Sequence, residues 1–165
     1  MRLVEINDVR VGQVLERNRC IFVIEERTGV HNFAVSLYCH NHKPAPNDAY
    51  EALSMRERNI ATFDDCKIIG KIGITHRIEG NRLVEIPRSA GFQVDDVVKF
   101  KWDPRLYVIN REIDFGIKES HPDNSCFEAT NDLYGSRQLV DFELKRVGIL
   151  GVTHEFVNDN EVLNG

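Results

Sequence analysis

Two histidines stand at matching places in this 165-residue chain, each preceded by a threonine: Thr75-His76 and Thr153-His154. Histidine titrates nearest neutral pH, so a pair presented by two copies of one unit is a candidate for acid–base chemistry in a hydrolase. Each pair closes a repeated phrase. Lys67-Ile68-Ile69-Gly70-Lys71-Ile72-Gly73-Ile74-Thr75-His76 returns as Lys145-Arg146-Val147-Gly148-Ile149-Leu150-Gly151-Val152-Thr153-His154, keeping the first lysine, both glycines, the threonine and the histidine. Neighbouring residues of a strand point to opposite faces, which opposes convergence of Thr and His on one substrate group. Polar residues kept at strand ends to satisfy backbone groups are the favoured reading.

A second candidate is a metal. Cys39 and His42 have the Cys-x-x-His spacing of half a structural zinc site, and Cys20 or Cys66 could add a ligand. Such sites want four ligands from two closely spaced pairs, and no second pair is present. No metal or other cofactor is therefore expected. The spacing of a phosphate loop and the Gly-x-Ser-x-Gly of a nucleophile elbow are also missing. A hydrolase or metal enzyme built on His76, His154, Cys39 and His42 is the least favoured function.

Two binding surfaces carry more weight. Lys99, Lys101 and Arg105, with Trp102 and Tyr107, bring cations and aromatics onto one hairpin over residues 99–111, a combination that tracks and stacks on single-stranded nucleic acid. Against this, Val98, Phe100 and Trp102 share one face of a strand and would serve a core. Asp123, Glu128 and Asp132 cluster in the polar, aperiodic stretch 120–138, which reads as a long exposed loop able to steer a basic protein partner. The charge distribution agrees: residues 67–118 carry 10 basic and 7 acidic side chains, and residues 119–165 carry 3 and 9.

The elements that must position these groups are strands. Cys20-Ile21-Phe22-Val23-Ile24 is dense in β-branched and aromatic residues, and Arg105-Leu106-Tyr107-Val108-Ile109 answers it. Phe33, Val35 and Leu37 alternate with period two. Turns are expected at Arg17-Asn18, Thr28-Gly29 and Asp103-Pro104, and Asp64-Asp65 and Asp95-Asp96 also read as turn residues. Hairpins follow each Thr-His, over 78–83 and over 156–162. Gly73 and Gly151 should mark a strand bend or a close backbone approach. Asn47 is placed to cap one short helix from Asp48 to about Arg58. The fold expected is mostly β: two tandem small barrels from an internal duplication, one over 1–86 with the inserted helix and one over 87–165 with the long polar loop.

Phe92-Gln93-Val94-Asp95-Asp96-Val97-Val98-Lys99-Phe100 resembles the glycine-aspartate, valine, valine, lysine opening of SH3-like small β-barrels, with Asp95 in the glycine's place and Gly12 keeping it in the first unit. Leu144-Lys145-Arg146-Val147-Gly148 and Cys66-Lys67-Ile68-Ile69-Gly70 resemble the end of YopX-type phage proteins. The first resemblance implies an SH3-like barrel in each unit. The second implies a bacterial or phage origin and no catalytic residue.

No apolar run approaches the ~20 residues of a membrane span, and the N-terminus lacks the apolar core of a signal peptide. A cytoplasmic location follows, with the four cysteines as thiols. The function expected is a non-enzymatic binding protein for a macromolecule, with a protein favoured over nucleic acid and no membrane partner.

Overall fold

The computed structural model describes residues 2–39, 49–88, 91–113, 126–131, 136–140 and 144–158. These are mostly β, in several small sheets, with a single 3-10 helix among the described residues. They fall into two compact units, Asn7–Arg88 and Met1–Ile6 together with Ser89–Gly165. The first six residues thus group with the C-terminal unit and not with the residues that follow them.

The unit Asn7–Arg88 is a seven-stranded antiparallel sheet. Its strands are β2 (Gln13–Arg17), β3 (Cys20–Arg27), β4 (Asn32–Cys39), β5 (Ala49–Asn59), β6 (Lys67–Lys71), β7 (His76–Glu79) and β8 (Arg82–Glu85), in the order β6-β2-β3-β4-β5-β8-β7. Strand β3 is buried on both faces, which is why Ile21 to Ile24 is continuously apolar and not alternating. Ile21 and Val23 pack with Val14, Tyr38 and Leu83. Phe22 and Ile24 pack on the other side with Leu15, Phe33, Val35 and Phe63. Phe63 comes from the 3-10 helix Ile60–Phe63, capped by Asn59, and meets Phe33 edge-on at 6.2 Å.

The C-terminal unit holds a five-stranded sheet, β12 (Ser136–Val140), β11 (Cys126–Thr130), β10 (Asp103–Ile113), β9 (Asp96–Phe100) and β13 (Leu144–Ile149), in that order. A separate two-stranded sheet joins β1 (Arg2–Glu5) to β14 (His154–Val157). Val98, Tyr107, Ile109, Phe127 and Ala129 form its core, with Phe92 edge-on to Phe127 at 5.9 Å. Among the described residues no ladder closes into a barrel.

Four expectations are corrected here. The helix over Asp48–Arg58 is strand β5, paired with β4 from Asn32↔Asn59 to Cys39↔Glu51. Its Ala, Leu, Met and Arg favour a helix only weakly, and a whole partner strand outweighs that preference. The polar stretch 120–138 contains β11 and part of β12, because alternate residues Phe127 and Ala129 reach the core. The turn between β9 and β10 is Lys101-Trp102, two residues before Asp103-Pro104, and Trp102 is 72% exposed instead of sharing the core face with Val98. The first hairpin likewise turns at Asn18 and Arg19, whose φ of 49° and 67° make a tight two-residue turn.

Asp95 has φ of 72°, where Gly12 has 90° in the other unit. An L-residue in that region is strained, although aspartate tolerates it better than most. Asp95→Gly should raise stability by about 0.5–1 kcal/mol, read as a higher urea midpoint at an unchanged slope.

Candidate functional site

The two Thr-His pairs sit in one local structure, built twice. In β6 the register against β2 slips between Gly70, opposite Val14, and Ile68, opposite Leu15. In β13 the register against β9 slips between Gly148, opposite Val97, and Arg146, opposite Val98. These one-residue bulges bend the strand into a tight turn. Gly73 and Gly151 make that turn possible with φ of 91° and 81°. A Cβ on Gly73 would meet nothing within 4 Å, so its backbone angle explains it and not a close approach.

Close approach belongs to the other glycine. A Cβ on Gly70 would lie 2.1 Å from Thr75 Oγ1 and 2.4 Å from His76 Nδ1, and one on Gly148 at the same distances from Thr153 Oγ1 and His154 Nδ1. The threonine and histidine lie across the bare backbone of the glycine. Thr75 Oγ1 accepts from Lys71 N at 2.8 Å, and Thr153 Oγ1 accepts from Ile149 N at 2.8 Å. The same oxygens lie 2.7 and 2.8 Å from Nδ1 of His76 and His154. One hydroxyl hydrogen serves either Nδ1 or the carbonyl of Lys71 or Ile149, and the imidazole tautomer follows that choice.

Both histidines are buried, with 3% exposure. Burial lowers the pKa of each, and for His154 the carboxylate of Glu5 partly opposes it. His76 Nε2 is buried without a hydrogen-bond partner and lies 3.8 Å from Glu85 Oε1. A neutral imidazole makes that contact dipolar and not an ion pair. Each threonine oxygen thus ties its imidazole to the backbone of the turn. Among the described residues no group of three or more His, Cys, Asp or Glu is placed to hold a metal. The side chain of Cys39 and all of His42 lie outside the described residues.

The hairpin expected over 78–83 is present as β7 and β8, whereas the strand opposite His154 was not anticipated. β8 runs against β7 with Glu85 opposite His76, and β1 runs against β14 with Glu5 opposite His154. Arg82-Leu83-Val84-Glu85-Ile86 and Arg2-Leu3-Val4-Glu5-Ile6 are identical in sequence. That identity was legible in the chain, and it marks β1 as the partner of β14 where a hairpin over 156–162 was expected. Residues beyond 158 lie outside the described ones.

In the C-terminal unit, Glu5, Lys99, Pro104, Leu106, Val147 and His154 line a shallow hollow of about 350 Å³. Lys99 is exposed on β9 directly opposite Lys145 on β13, whereas the matching positions of the other unit pair Glu16 with Lys67. Lys101 is exposed, its ammonium 4.9 Å from the centre of the Trp102 ring. The remaining members of the basic hairpin face elsewhere. Tyr107 is 1% exposed in the core and donates from its hydroxyl to Asp103 Oδ2 at 2.7 Å. Arg105 Nε donates to both oxygens of Asp103, at 2.7 and 2.8 Å. The Arg105 guanidinium holds the Asp103 carboxyl far below the usual carboxylate range, against the opposing effect of burial.

Of the three acidic residues, Glu128 stands on β11 and pairs with Arg111 at 3.0 Å, so it is not part of a mobile loop. Asp123 and Asp132 lie outside the described residues. Comparison of the chain with family models, with curated proteins and with solved structures finds no match in any of the three.

Gly70→Ala and Gly148→Ala should each cost about 1–3 kcal/mol through overpacking against the threonine and histidine. Adding Thr75→Ser and Thr153→Ser respectively should recover little, because the Oγ that clashes remains. The histidines predict a pH dependence. With both folded pKa values below the ordinary 6.5, the unfolded chain takes up protons first as pH falls. Their contribution is therefore complete above about pH 6.5 and is lost as pH falls below it. Urea midpoints should decline over that interval, and a His76→Gln, His154→Gln variant should flatten the decline.

Proposed function

We propose that the chain is a non-enzymatic, cytoplasmic binding protein built from tandem copies of one small β unit related to SH3-like barrels, and that its partner is a protein with an acidic surface. The observation that carries this reading is the cluster of exposed Lys99, Lys101 and Lys145 beside exposed Trp102. Like charges directly opposite each other on a sheet are destabilising by a few tenths to about 1 kcal/mol. The Lys99–Lys145 pair thus costs stability at a place where the other unit has opposite charges. An anionic partner offsets that repulsion. An exposed tryptophan flanked by cations is the kind of anchor on which protein interfaces concentrate their affinity.

Single-stranded nucleic acid is the second reading, because stacking on Trp102 with phosphates on the lysines uses the same face. It has fewer groups to work with than the hairpin's sequence offered. Tyr107 serves the core and Arg105 is held by Asp103, so one aromatic ring is left where successive bases would need several.

Trp102 is the chain's one tryptophan and reports on its own surroundings. Its fluorescence should stay unchanged when an unlabelled single-stranded oligonucleotide is added at about 50 mM salt. Quenching that weakens with salt, by roughly 0.7 log units in affinity per log unit of salt for each phosphate contact, would replace the protein reading with the nucleic-acid one. Lys145→Glu should stabilise the fold by about 0.2–1 kcal/mol while weakening capture of the native partner. A variant that is both more stable and equally competent in binding would remove this face from the interaction.

A further inference from the structure

The two closing strands are the same strand in sequence and in register, but they are tethered differently. Leu83 faces Ile78 and Glu85 faces His76; Leu3 faces Phe156 and Glu5 faces His154. Ile86 N donates to Thr75 O at 2.8 Å, and Ile6 N donates to Thr153 O at 2.9 Å. β8 follows β7 through the two-residue turn Gly80-Asn81, and its Leu83 is fully buried. β1 lies at the opposite end of the chain from β14, which is its one strand partner among the described residues. Leu3 and Val4 are half-buried and Arg2 and Glu5 exposed. The first strand is held by a hairpin; the second pairs with β14 and is followed directly by residues of a different unit.

We propose that the edge of β14 is a strand-acceptor site, and that the Arg2–Ile6 strand of a second copy of this chain fills it in exchange for the molecule's own. Main-chain pairing supplies the affinity, as in other strand additions, and the alternate side chains supply specificity. Leu3 meets Phe156, and Glu5 reaches the hollow lined by Lys99 and His154. The carboxylate of that hollow is then contributed by the partner copy. An element whose chain continues into a separate unit can be exchanged between identical copies at the joint between them. Nothing in the pairing itself distinguishes the two sources of the strand. The intact molecule competes with the second copy through the effective concentration that tethering gives its own strand, which a second copy matches at about millimolar.

The test uses the full chain. Held at roughly millimolar concentration just below its melting transition and then cooled, it should yield a dimer by size exclusion with light scattering. A synthetic peptide of residues 1–7 in excess should suppress that dimer and remain bound to the monomer. The same peptide with proline in place of Val4 should do neither. The hydrogen bond from Ile6 N places the Val4 N–H on the β14 side of the ladder, and proline cannot donate there. A full-length Val4→Pro chain, its own strand weakened, should bind the unmodified peptide at least tenfold more tightly than the wild type does. A dimer untouched by the peptide would place the contact elsewhere and overturn the proposal. Absence of both dimer and peptide uptake, in the wild type and in Val4→Pro, would overturn it equally.

Discussion

The rest of this structure depends on a glycine with no room above it. At Gly70 and at Gly148 the space a Cβ would fill is taken by a threonine oxygen and an imidazole nitrogen. That contact holds the Thr-His pair against the bulged strand. The threonine oxygen then accepts the backbone N–H of the residue after the bulge in each unit. With the pair in place, Thr75 O and Thr153 O face outward to receive Ile86 N and Ile6 N, which sets the register of the closing strand. A local steric requirement is in this way passed along to a strand pairing that in the C-terminal unit spans almost the whole chain. The histidines read first as candidate catalysts and then as buried, neutral parts of a joint. Both are buried, and desolvation favours the neutral imidazole in each.

Asp103 plays a comparable part for the surface of the C-terminal unit. A carboxylate buried at the start of β10 must be paired, and Arg105 and Tyr107 pair it. That removes one cation and one aromatic from the face they would otherwise share with Lys99, Lys101 and Trp102. Pro104 sits between them where the β9–β10 register slips, a position in which a missing N–H is tolerated. The outcome is a lone exposed indole with lysines around it, a smaller and more specific surface than a basic hairpin suggests.

Much of this was legible in the chain. The repeated phrase from Lys67 and Lys145, the strands at Cys20–Ile24 and Arg105–Ile109, and the special backbone at Gly73 and Gly151 all follow from residue types and spacing. The second repeat, Arg-Leu-Val-Glu-Ile at residues 2–6 and 82–86, was equally open to reading. It falls at the chain's start, where a closing strand is not looked for. The residues of β5 were not legible as a strand, because a run with Ala, Leu, Met, Glu and Arg states a mild helical preference and says nothing of the strand waiting beside it.

The sequence by itself determined that this is a mostly β protein, where several of its strands lie, and that Gly73 and Gly151 take a special backbone, because those properties depend on backbone angles and near-neighbour periodicity. The tertiary structure alone decided which strand closes which half, that Tyr107 faces inward while Trp102 faces water, and that Lys99 stands against Lys145 where Glu16 stands against Lys67. Those outcomes depend on register between distant segments. A shift of one residue in register turns every side chain to the other face, and local composition carries no record of it.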